Sequence, residues 1–179
     1  MIPFVPESVD PTPAAPLAET ERLLGALRLY RAARQVFLGA LGIAASNRDP
    51  LAEFAELIAC AELGGTMATS RVQKGWDLVD PDGNTVQVRY VANPAGTWVN
   101  EPLIDFSGGC DRFALVVYEA LDVRALLVFS APRIAEVCAR LGKRHRDTDT
   151  RLGLTQRNYL EILANQQEFG ALGVDVHVF

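Results

Sequence analysis

Apolar residues recur along this chain with two different periods, and the change of period divides it into helices and strands. Between residues 17 and 42, Leu23, Leu24, Leu27, Tyr30 and Ala33 return at three- and four-residue steps with arginines between them. That is the spacing of one helix face. Glu19 and Thr20 lie near its start, and Gly42 marks its stop. The stretch SNRDPLAEFAELIACAELGG predicts a second helix of about four turns. Ser46, Asn47 and Asp49 are its candidate caps, Pro50 suits its first turn, and Gly64-Gly65 closes it.

The period then shortens to two. TMATSRV reads as a weak strand. WDLVD and TVQVRYV flank PDGN, so they read as a hairpin. RFALVVYEA and RALLVFS are nearly continuous apolar runs, as expected of central strands covered on both faces, with LDV as a tight connection. Between hairpin and runs lies a loop-rich segment with one short strand at most. The last third predicts an amphipathic helix in APRIAEVCARLG, a polar loop in KRHRDTDTR, a single helix in TQRNYLEILANQQEFGALG and a terminal strand in VDVHVF. The order helix, helix, strands, helix, helix, strand predicts an α/β sandwich around a mixed sheet.

Composition narrows the class. The chain has 179 residues, of which 49% are apolar and 22% charged, so one globular domain with a substantial core is expected over residues 17–179. Residues 1–16 hold five prolines and read as an extended arm. A net charge of −5 argues against a generally basic nucleic-acid coat while leaving room for a local basic patch. Cys60, Cys110 and Cys138 form no CxxC pair, which suggests a reducing cytoplasm and buried thiols. Two histidines disfavour a His-rich zinc site. No apolar run reaches the ~18 residues of a membrane span, and no basic-then-apolar leader opens the chain. Neither a GxxxxGK[ST] nor a GxSxG motif occurs.

The hairpin carries the candidate chemistry. Alternation places Val86, Val88 and Tyr90 on one side of its second strand, and Thr85, Gln87, Arg89 and Val91 on the other. Asp77 on the partner strand can approach the Gln87/Arg89 side. Glu53 or Glu56 on the preceding helix can add a carboxylate. Such oxygen ligands suit a hard divalent cation, and an adjacent fixed cation suits a phosphate. Each element also has a plain reading: a strand-end aspartate, a solvated strand face, or helix acids favoured by the macrodipole. Tyr90, Trp98 and Asn100 could contact nucleic acid or simply pack at the rim.

This order of residues resembles the PD-(D/E)XK nuclease superfamily, which includes restriction endonucleases and Holliday-junction resolvases. In that family an aspartate on one strand is followed, after a turn, by Asp/Glu-x-Lys on the next, and a helix glutamate often completes the set. Here Glu53 or Glu56 precedes Asp77, which precedes Gln87-Val88-Arg89. FALVVYEA and RALLVFS match the later core strands, so the resemblance covers roughly residues 48–140. Two positions depart from the pattern. Gln87 replaces the acid, as in the Mrr-type branch, and its amide oxygen can still ligate a metal. Arg89 replaces the lysine, and arginine can clamp a phosphate but cannot act as a base.

The resemblance implies a restriction endonuclease-like core with an added N-terminal helix. It also implies Mg²⁺, with Mn²⁺ as a substitute, held by Asp77, Gln87 and Glu56, with Glu53 in reserve. Arg89 would hold the scissile phosphate of DNA. Apart from the resemblance, Lys74 and the basic residues Lys143, Arg144 and Arg146 of KRHRDTDTR read either as further phosphate contacts or as a solvated surface. Restriction, phage defence and repair are the implied settings, and a homodimer would suit double-strand cutting. Two alternatives remain open: a non-catalytic subunit of the same fold that binds DNA or a protein partner, and an assembly subunit pairing through the stripe from Leu23 to Leu41.

Overall fold

The computed structural model describes residues 16–69, 75–93, 97–144 and 147–179. The chain divides into two compact units, Met1–Asn47 and Arg48–Phe179.

The first unit is built on α1 (Pro16–Ala40). The helix stops where Gly42 takes φ +74°, a conformation that favours glycine. The chain then folds back, with Ile43 N–H donating to the Leu38 carbonyl at 2.9 Å and Arg34 Nη2 donating to the Ser46 carbonyl at 2.8 Å. The stripe read from the sequence is only partly used. Leu38 is fully buried, whereas Leu23, Leu27 and Tyr30 are each more than half exposed.

The second unit opens with α2 (Pro50–Glu62). Asp49 caps it by accepting from Leu51 N–H at 2.9 Å, and Pro50 occupies the first turn, where its missing N–H costs nothing. Short strands β1 (Thr66–Met67) and β2 (Leu78–Val79) follow, then the long β3 (Thr85–Asn93). The PDGN turn forms as expected. Asp80 accepts from the N–H groups of Asp82 and Asn84 at 3.0 and 2.8 Å, and Gly83 takes φ +87°. Gly65 lets β1 approach β2: a Cβ there would lie 2.7 Å from the Val79 carbonyl oxygen.

Then come β4 (Leu103–Asp105), β5 (Arg112–Glu119) and β6 (Asp122–Ser130). A 3-10 turn at Ala131–Arg133 leads into α3 (Ile134–Arg140). Strand β7 (Arg151–Gly153), helices α4 (Gln156–Ala164) and α5 (Gln166–Ala171), and strand β8 (Val174–Val178) complete the unit.

The main sheet has the order β1-β2-β3-β5-β6-β8. Strands β3 and β5 run parallel, and every other neighbouring pair is antiparallel. The sheet is therefore mixed and lies between helices, the architecture expected from the order of elements. On one face α2 contributes Ala55 and Ala59 to a core with Val86, Val88, Ala114, Val116, Leu126 and Val128. On the other face α3, α4 and α5 pack Ile134, Ile162 and Phe169 against Phe113, Leu115, Leu127 and Phe129. Strands β5 and β6 are thus buried on both sides, which is why they read as continuous apolar runs.

Two expectations in the last third need correction. The single helix predicted after Thr155 is two helices broken at Asn165. There the Asn165 side chain takes the Glu161 carbonyl at 2.9 Å, while its own N–H turns to Ile162 O. A short polar side chain has captured the acceptor that would have continued the helix. Strand β7 pairs antiparallel with β4 where the sequence, with Leu152 as the one apolar residue, predicts no strand. Among the described residues, Cys110 and Cys138 are buried and Cys60 is half-buried, all as free thiols. No helix there is long and apolar enough to cross a membrane.

Candidate functional site

The site forms at an edge that β2 leaves uncovered. Strand β2 pairs only with Thr85 and Val86, so among the described residues β3 from Gln87 onward meets no strand on that side. Asp77, just before β2, fills the gap with its side chain. Its Oδ2 accepts the Val88 backbone N–H at 2.7 Å and also the Gln87 side-chain amide. Arg89 Nη1 stands 3.7 Å from the same oxygen and donates to the Val88 carbonyl at 2.7 Å. The Asp77–Gln87–Arg89 grouping read from the hairpin therefore exists.

Helix α2 adds the acids from the other side of the sheet. Glu53 is fully buried and Glu56 is 5% exposed. Carboxylates are almost never buried to this degree unless paired. Their partner is Arg48. It grips both oxygens of Glu56, with Nη1 to Oε2 at 2.8 Å, and lies 3.8 Å from Glu53. The guanidinium is held above its ordinary range, first by the hydrogen bond to Glu56, with further help from the charges of Glu56, Glu53 and Asp77. The cluster therefore wraps an edge, with Gln87 and Arg89 on one face and α2 on the other.

Burial pushes the Asp77 carboxyl above the usual aspartate value. The Val88 N–H works against that shift, the Glu56 charge adds to it, and the Arg89 and Arg48 charges oppose it. Strand and helix are pinned beside the cluster by Asp49, whose Oδ2 accepts the Tyr90 hydroxyl at 2.5 Å. That hydrogen bond pushes the Tyr90 phenol up to about 12. Tyr90 and Tyr118 meet edge to face at 5.9 Å, and the Tyr118 hydroxyl donates to the Leu51 carbonyl at 3.2 Å, so α2 is fixed over β3 at two points.

All five residues chosen from the sequence, Glu53, Glu56, Asp77, Gln87 and Arg89, lie in or against this cluster. Arg48 was missed. It sits in SNRDP, a stretch whose cap chemistry explained it sufficiently, and nothing local shows that it reaches Glu56 eight residues on. Lys143 and Arg144 follow α3, and the ion pairs of the cluster do not include them. Lys74 and Arg146 lie outside the described residues. Trp98 is a packing residue, stacked on Tyr159 at 5.4 Å against the α3–α5 face. Tyr90 is tied to Asp49.

The donor set of carboxylates and an amide is of the kind that a hard divalent cation takes. In the arrangement seen, those groups face internal partners: Glu56 faces Arg48, and Asp77 faces Val88 N–H and the Gln87 amide nitrogen. Among the described residues no group of three or more His, Cys, Asp or Glu side chains is arranged to hold a metal ion. Cation entry would require Arg48 to yield Glu56 and the Gln87 amide to turn its oxygen inward. The sequence matches no protein-family model, and no curated protein is significantly similar to it.

Proposed function

We propose that this protein is a divergent PD-(D/E)XK-type nuclease that hydrolyses DNA phosphodiesters with a divalent cation, Mg²⁺ or Mn²⁺. One observation carries the reading. Glu56 of α2, nearly buried, lies close enough to Asp77 for its charge to raise the Asp77 carboxyl, and Asp77 in turn holds Gln87 at the strand edge; these are the residues that the resemblance to the superfamily assigns to a metal. A fold held by apolar packing alone has no need to bury Glu53 and Glu56 there. Asp77, Gln87 and Glu56 would hold the cation, with Glu53 behind them. A cation bound there supplies positive charge against a phosphoryl group. Arg89, exposed over more than half its side chain, is free to turn its fork to the scissile phosphate and offset charge as it develops.

A second reading is a non-catalytic DNA-binding subunit of the same fold. The placement of Arg48 favours it, because a resident guanidinium already neutralises the acids that a metal would need. The two readings separate in one experiment. Mg²⁺ and Mn²⁺ are titrated calorimetrically into the wild type and Asp77→Ala, and both proteins are incubated with plasmid and single-stranded DNA. The nuclease reading expects cation binding and cleavage by the wild type and neither by Asp77→Ala. Cleavage by a folded Asp77→Ala at the wild-type rate would overturn it. DNA binding in EDTA with no cleavage under any cation would establish the second reading.

A further inference from the structure

Strand β8 is an edge whose outer side meets no strand among the described residues. An open groove of ≈ 570 Å³ runs beside it, lined by Glu62 of α2, Gln166 and Gly170 of α5, and β8 itself. The groove is flanked from both faces of the sheet. His177 stands opposite Leu126 and Asp175 opposite Val128, so both point to the α2 side, where His177 Nδ1 lies 2.9 Å from Glu62 Oε1. Val174 and Val176 pack on the other side, toward α5. An exposed edge bounded in this way suits an added strand.

The sequence of β8, Val-Asp-Val-His-Val, is symmetric about Val176 in a way that matters for pairing. We propose that the occupant is the β8 strand of a second copy, antiparallel and centred on Val176. In that register Val176 faces the partner's Val176, and Val178, which is 63% exposed, gains the partner's Val174 as its cross-strand neighbour. On the opposite face Asp175 stands across from the partner's His177. That ring then lies between two carboxylates, the partner's own Glu62 and Asp175 of the first chain. Every cross-strand pair is apolar with apolar or acid with imidazole, and no like charges oppose. The same two-fold operation satisfies both edges and joins the two sheets into one closed dimer, leaving no free β8 for further addition.

The register makes the proposal testable by chemistry at single positions. Val176→Cys places the two introduced thiols directly opposite each other, with β-carbons about 5 Å apart, so a short bifunctional thiol cross-linker gives a dimer on a denaturing gel. Val178→Cys places its two thiols about 13 Å apart and gives none. In sedimentation experiments the wild type is a dimer. Val178→Lys, an exposed substitution that puts a charge on the edge, shifts the protein to a monomer that still unfolds cooperatively, at a melting temperature that no longer depends on protein concentration. A wild type that stays monomeric at its highest soluble concentration overturns the proposal. So does a dimer that survives Val178→Lys while the Val176→Cys variant fails to cross-link, which would place the contact elsewhere, for instance on the Leu23, Leu27 and Tyr30 stripe of α1.

Discussion

Arg48 holds Glu56 through both terminal nitrogens, with Nη1 to Oε2 at 2.8 Å, and stands 3.8 Å from Glu53 as well. Replacing Arg48 with Met leaves a nearly buried carboxylate without its guanidinium. Arg48 itself is partly exposed, so the loss is smaller than for a fully buried pair. The variant should be less stable by about 1–3 kcal/mol in urea denaturation. Under the nuclease reading, Mg²⁺ should then stabilise Arg48→Met more than it stabilises the wild type, because the ion no longer competes with a resident cation. Equal stabilisation of the two proteins would mean that Arg48 does not guard the site.

Asp77 gives a prediction whose sign can be worked out. Its folded-state carboxyl is pushed above the ordinary value by burial. The neutral form therefore favours folding, fully below the ordinary aspartate value, and that contribution is lost as pH rises through the raised value. Asp77→Asn keeps an oxygen for the Val88 N–H and removes the charge. It should match the wild type in acid and melt higher near neutrality, in thermal melts recorded from neutral pH down to about 3. Asp111 behaves in the opposite sense. Its carboxyl is held low by the Thr85 hydroxyl and N–H, at 2.7 and 2.9 Å. Its contribution is present above the ordinary value and is lost as pH falls through the depressed one. Asp111→Asn should therefore melt lower at neutral pH and converge on the wild type in acid.

Arg89 separates turnover from binding. Its side chain is 59% exposed and its ion pair with Asp77 spans 3.7 Å, so stability depends little on it. Arg89→Ala should leave the melting temperature unchanged and, under the nuclease reading, weaken DNA binding by about tenfold at low salt. Under the same reading, Arg89→Lys tests the departure from the superfamily pattern. Cleavage that rises above the wild type shows that the arginine limits turnover at this site. Cleavage that stays or falls assigns the phosphate-facing role to the arginine itself.

The parts legible in the sequence were those set by local chemistry. Asp49 and Pro50 announce α2, PDGN announces its turn, and period two along Thr85–Val91 sorts Val88 from Gln87 correctly. The residues of the edge cluster were legible because they came as a spaced set, Glu53 and Glu56, then Asp77, then Gln87 and Arg89. What escaped depended on contacts distant in sequence. Arg48 reaches Glu56 from beside Asp49, which Tyr90 of β3 ties down from 41 residues away. Strand β7 exists because β4 pairs with it, and its own pattern carries one buried apolar residue. The shortness of β2, which opens the β3 edge to the Asp77 side chain, is a property of pairing and leaves no mark in WDLVD.

The β5–β6 hairpin stores strain that can be removed. Ala120 and Leu121 connect the strands with φ of +51° and +69°. Both lie in the left-handed region, which residues with a Cβ enter at a cost of about 1–2 kcal/mol each. Two-residue connections of this kind favour Asn-Gly, because the turn twist that matches the strands demands positive φ at both positions. Leu121 is 63% exposed, so replacing it forfeits little packing. Ala120→Asn with Leu121→Gly should raise stability by about 1–2 kcal/mol, part of the relief being offset by the greater freedom of glycine in the unfolded chain. The shift should appear as a higher urea midpoint with an unchanged slope. A lower midpoint would mean that Leu121 makes a contact its exposure does not reveal.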